Sequence, residues 1–194
     1  MGLLRLAAVL AVAVVVTPPL LPQTLLFPFH ETVNGDEIWS EQPESRAGLD
    51  RVTARARALV RQSPIAAPNE QRHVFLTNGG WRWYWLALGN WRSFALTRTF
   101  SDAIVVNRSD PALDRVWSGA TVGGVRTLSG VLAHETCHGM LRRHFGRSVD
   151  VASPGWLTEG YCDHVARESS LNAGDVARLQ SMGVRSPALT YFEG

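Results

Sequence analysis

The sequence predicts an α+β fold, a compact domain of helices packed on a small sheet, from three observations. Residues 49–62, "LDRVTARARALVRQ", place Leu49, Val52, Ala56, Leu59 and Val60 at helical spacing with Arg on the other face. Residues 73–78, "HVFLTN", and 102–107, "DAIVVN", are short, β-branched or aromatic, and bounded by Asn, Gly and Asp, the pattern of strands. Residues 128–145 carry a longer helical pattern, and most of the chemistry lies on it. A chain of 194 residues suits one domain, or one domain and an appendage, with a real core. Its 45% hydrophobic content is ordinary for a globular protein. The net charge is +2, with all 19 basic residues Arg and 17 acidic residues spread among them, so no extended field invites nucleic acid.

The first element is of a different kind. Residues 1–29, "MGLLRLAAVLAVAVVVTPPLLPQTLLFPF", hold a single charged side chain, Arg5, and an unbroken apolar run from Leu6 to Val16. This is a signal-anchor or a signal peptide. Leu3 to Leu21 is long enough to span a bilayer. The Pro and Leu after Val16 lack the small residues of a cleavage site, which favours retention as an anchor over cleavage and secretion. Arg5 before the run, and Glu31, Asp36, Glu37, Glu41 and Glu44 after it, place the domain outside the cytoplasm. Residues 30–48 read as a polar tether, acidic and interrupted by Pro43, leaving 49–194 as the folded domain.

After the first helix and strand comes "WRWYWLALGNW", with Trp81, Trp83, Tyr84, Trp85 and Trp91. Large aromatics of this kind pack a core, or form an exposed rim along a cleft or at a membrane interface. Base stacking would need a basic groove that the charge balance does not offer. "FALTRTF" is a third strand candidate, and "WSGATVGGVRT" is a small-residue stretch that would form a loop or admit a close backbone approach. The helix of 128–145 can be capped by Thr127 or Ser129 and ends at Gly146, with Leu128, Val131, Leu132 and Leu141 as its apolar face.

That helix contains "HETCH", an HExxH pattern in which His134 and His138 lie one turn apart on one side and can reach one zinc ion. A third ligand is needed, with a further position left for water. His144 has the metzincin spacing, but the glycine of that pattern is Leu141 here, and continuing the helix turns His144 away from the pair. Glu159, in "WLTEGYCDHVA", is the other candidate. Here the sequence resembles the gluzincin metallopeptidases over residues 128–170, through HExxH and the downstream Trp156, Leu157, Thr158, Glu159, Gly160 string. The resemblance implies a zincin-like domain, one zinc ion held by His134, His138 and Glu159, and hydrolysis of a peptide or protein substrate. Helical arithmetic supports Glu159 separately, because Asp163 follows it by four and can accept the free N–H of a ligating imidazole.

Glu135 is then the catalytic proton carrier: it adjoins a ligand yet points off the metal axis. Tyr161, Tyr191 and His164 are the candidates for a transition-state donor, with nothing to choose among them. Cys137 and Cys162 sit beside the ligands of the two helices, and face each other as a disulfide or remain separate buried hydrophobes. The expected function is zinc-dependent peptide hydrolysis. Two alternatives stand beside it: a weakly active or inactive zinc-stabilised binding module, and a metal-free membrane-anchored interaction protein using its Trp cluster.

Overall fold

The structure, a computed structural model, describes residues 22–120, 122–169 and 173–183, with Gly2, Arg5 and Thr17 besides. The rest of the N-terminal apolar run, with the anchor expected there, lies outside the described residues, as does Tyr191. Among the described residues no helix is long and apolar enough to cross a membrane.

A 3₁₀ turn over Pro22–Leu25 leads into β1 (Phe29–Val33) and β2 (Asp36–Ser40), an antiparallel hairpin. This corrects the polar tether expected over 30–48. Asn34 and Gly35 take φ of 53° and 84°, the left-handed pair of a tight hairpin turn. Helix α1 (Arg46–Val60) starts three residues before the periodic run, because the Ser45 side chain accepts a bond from the Gly48 amide at 3.2 Å. β3 (His73–Leu76), β4 (Ala95–Thr97) and β5 (Ile104–Val106) complete a sheet of order β1-β2-β3-β5-β4, parallel at its centre and antiparallel at both edges.

The central strands read as continuous apolar runs because both sheet faces are covered. Val74, Leu76, Ile104 and Val106 point into the main core with Val52, Ala56 and Val60 of α1. Phe75 and Val105 point the other way, onto α2 (Trp81–Ala87), a helix formed by the aromatic cluster itself. Trp83 and Leu86 are buried there, whereas Trp81, Tyr84 and Trp91 are exposed, so the cluster is core on one side and rim on the other. A buried ion cluster pins β2 to β3: Asp36 accepts from Arg57 at 2.8 Å and pairs with Arg72.

The chain then makes a small second sheet, β6 (Ser109–Asp110), β7 (Arg115–Trp117) and β8 (Val125–Thr127). Residues 118–120 and 122–124 of the small-residue stretch lie between β7 and β8. β8 runs directly into α3 (Leu128–Phe145), which is followed by α4 (Val149–Ala152), α5 (Gly155–Ala166) and α6 (Ala173–Ser181). Helix α3 is buried along most of its length, against α1, the sheet and α5. The architecture is mixed α and β, with a small sheet and helices on both of its faces.

Candidate metal centre

Helix α3 enters the site from a built N-terminus. Thr127 holds an extended conformation, its hydroxyl accepts from the Gly130 amide at 3.1 Å, and Glu168 reaches from beyond the end of α5 to accept from the Thr127 amide at 2.9 Å. A Cβ on Gly130 would lie against Glu168 Oε2 and 2.7 Å from Thr127 Oγ1, so glycine is what admits the carboxylate. At its far end α3 stops at Gly146, as expected, with φ of 93°.

Helix α5 packs along α3, and the two are joined by a disulfide between Cys137 and Cys162, whose Cα atoms are 5.4 Å apart. Each cysteine immediately precedes or closely follows a site residue, so the bond ties the two rows of functional side chains together. His134 and His138 rise from α3 on one side, with ring nitrogens Nε2 3.2 Å apart. Glu159 on α5 faces both: Oε2 is 3.2 Å from His134 Nε2 and Oε1 is 3.5 Å from His138 Nε2.

These three residues form a group able to hold one metal ion. Ligands at about 2.0 to 2.1 Å from a tetrahedral zinc ion are about 3.3 to 3.4 Å from one another. The observed separations of 3.2, 3.2 and 3.5 Å lie near that value, the two to Glu159 being made by its two different oxygens. Two imidazoles and one carboxylate are also a donor set that zinc favours.

Asp163 stands behind His134, with Oδ1 2.9 Å from Nδ1, close in distance but off the line of a straight N–H···O bond. Arg126, buried beneath, lies 3.4 Å from that same Asp163 oxygen and donates to the Glu168 carbonyl at 2.8 Å. Burial works against charge at His134, yet the contacts with Asp163 and Glu159 outweigh it and push the imidazole up to about 9. His138 is pushed down by burial. Burial raises both Glu159 and Asp163, but the bonds to His134 win and hold the two carboxyls below their ordinary values.

Glu135 is buried beside this group, and Thr97 of the edge strand β4 reaches it: the hydroxyl is 2.6 Å from Oε2 and 2.7 Å from the Glu135 carbonyl oxygen. His144 is exposed at the end of α3 with its ring edge-on to Phe145, away from the group. His164 is exposed as well, and the Tyr161 hydroxyl is engaged with Ser63 Oγ at 2.7 Å.

Sequence reasoning brought together His134, His138, Glu159 and Asp163 by spacing on two helices. It missed Thr97, Arg126 and Glu168, which lie on other elements. Alternation in "FALTRTF" could have put Thr97 and Ala95 on one face of β4, but nothing local pointed to Glu135 as the neighbour. Comparison with family models, with curated proteins and with solved structures finds no match.

Proposed function

We propose that this chain is a zinc-dependent peptidase of gluzincin type, with His134, His138 and Glu159 as ligands. The observation that carries the reading is the convergence of His134, His138 and Glu159 into one group able to hold a metal ion, with Glu135 on the same helix as the two histidines. When bound, zinc supplies a Lewis acid for the substrate carbonyl and brings water ionisation to about pH 7.

The residues of the chain have separable tasks. Glu135 takes the proton from the attacking water and returns it to the leaving amine, as its place beside the ligands allows. Thr97 anchors one oxygen of that carboxylate, which leaves the other for proton transfer. Asp163 holds the His134 ring in its orientation, and Arg126 holds Asp163 charged. Among the described residues β4 is the outer strand of its sheet, so an extended peptide laid along it would pass the Glu135 side of α3.

One observation favours a second reading, a zinc-stabilised binding module: Glu135 is only 8% exposed, so its carboxylate has limited access to solvent. The test begins with elemental analysis of the full chain purified without added metal, beside Glu159→Ala and His144→Ala. About one zinc per chain, lost with Glu159→Ala and kept with His144→Ala, is the expected result. Glu135→Gln should then keep the zinc and lower peptide hydrolysis by about 10²- to 10⁴-fold. Zinc retention with no hydrolysis by the parent chain would favour the binding module. Absence of zinc from the parent chain, even after incubation with it, would overturn both.

A further inference from the structure

Helix α2 is apolar on two opposite faces. Trp83, Leu86 and Ala87 are buried against Phe75 and Val105 on the outer face of the main sheet. On the other side Trp81, Tyr84, Trp85 and Leu88 follow the i, i+3, i+4, i+7 spacing of a second stripe. Trp81, Tyr84 and Leu88, with Trp91 just beyond, are 56%, 57%, 63% and 53% exposed. One apolar face suffices to dock the helix on the sheet; the second leaves large apolar side chains at the surface.

Two leucines sharpen the point. Leu26 and Leu88 are 81% and 63% exposed, and both take left-handed backbone, with φ of 53° and 48°. Asn or Gly is at home in that conformation and Leu is not. At both positions fold stability and solubility would each select a different residue.

This surface adjoins the end of the N-terminal apolar run. Arg82 of α2 donates from Nε to the Leu25 carbonyl at 3.2 Å and from Nη2 to the Leu26 carbonyl at 3.4 Å. Its guanidinium also lies over the rings of Phe27 and Trp81. Residues 25–27 are thereby fastened to the first turn of α2, directly after the stretch Leu3 to Leu21. Two arginines stand at this surface: Arg92 is exposed one residue beyond Trp91, and Arg82 lies in the first turn of α2 with Glu41 3.5 Å away. Trp and Tyr settle at the lipid–water boundary, and Arg beside them is drawn to anionic headgroups.

We infer that Trp81, Tyr84, Leu88 and Trp91, together with Leu26, dock on the surface of a lipid bilayer. The domain is then held against the membrane in one orientation, through a surface that uses no residue of the metal centre.

Brominated lipids quench tryptophan that reaches the acyl boundary, so the probe is vesicles of phosphatidylcholine and phosphatidylglycerol brominated near the headgroup, mixed with the full chain. The parent chain is expected to bind and to be quenched. Trp81→Phe with Trp91→Phe should lose more than half of the quenching, and Trp156→Phe, which removes another exposed indole, should keep it. Leu88→Asn suits its left-handed backbone, keeps the fold, and should weaken quenching in the same direction. Four results would each overturn the inference: full quenching in the double variant, an equal loss in Trp156→Phe, a chain that stays free of vesicles, or a lipid-free dimer that Leu88→Asn dissociates. The last would assign the surface to a second copy of the chain.

Discussion

A threonine hydroxyl carries one proton, and Thr97 has two acceptors of Glu135 within reach, the carbonyl at 2.7 Å and the carboxylate at 2.6 Å. Removing the hydroxyl frees the carboxylate to turn, so Thr97→Val should lower kcat about tenfold with KM little changed, and Thr97→Ser should restore most of it. Asp163 acts through His134 in the same way. Asp163→Asn should weaken zinc binding about 10- to 100-fold in a competition titration with a chelator, with the fold intact by circular dichroism. A third residue gives a pH signature remote from the site. Burial first, and then the charge of Asp110, push Glu44 up from its ordinary 4.5 to about 6. A carboxyl raised on folding contributes stability that is fully present below its unfolded value and is lost as pH rises through about 6. Glu44→Gln should therefore raise Tm at pH 7 to 8 and leave it unchanged at pH 4. Partial exposure of the group limits the gain to about 1 kcal/mol.

Helix α3 shows how much a single element depends on another. Glycine in a helix interior costs about 1 kcal/mol relative to alanine, yet at Gly130 a Cβ would meet the Glu168 carboxylate that caps the helix. Gly130→Ala should destabilise the parent chain by about 1 to 2 kcal/mol, and should cost less in a Glu168→Ala background, where only the contact with Thr127 Oγ1 remains. Thermal unfolding of the four chains of that cycle measures it; simple additivity would remove Glu168 from the cap. Helix α1 was legible from its apolar spacing, and α3 from apolar spacing with a capping Thr127 and a terminating Gly146, all local signals; α5 was read from its family-like Glu159 string and the spacing of Asp163. β3 and β5 were legible for the same reason, being short apolar runs between turn formers. The hairpin of β1 and β2 carried a local signal in its Asn34-Gly35 turn pair, but no apolar–polar alternation flanks it, and the acidic composition and Pro43 outweighed it. Helix α2 was not legible. Its aromatic residues suit strands as well as helices, and both of its faces are apolar, so neither period stands out.

The two ligand helices are held as one body by the Cys137–Cys162 bond, which closes a sequence separation of 25. In the chain-entropy account a loop of that size is worth about 3.5 kcal/mol. Cys137→Ala with Cys162→Ala should lower Tm accordingly and weaken zinc binding as well, because Glu159 would no longer be held opposite His134 and His138. Unchanged zinc affinity in the double variant would show that packing of α3 on α5 sets the site without the bond. Local pattern was enough to name the fold class, HExxH on one helix, and Glu159 with Asp163 on the next, since residues three and four apart on a helix share a face whatever surrounds them. Tertiary structure decided everything that joins one element to another: Glu159 rather than His144 beside the histidine pair, Thr97 against Glu135, Arg126 under Asp163, Glu168 on the start of α3, and the pairing of the two cysteines. Those contacts join residues from 21 to 41 positions apart. Their distances are set by how whole elements pack, which no local periodicity encodes.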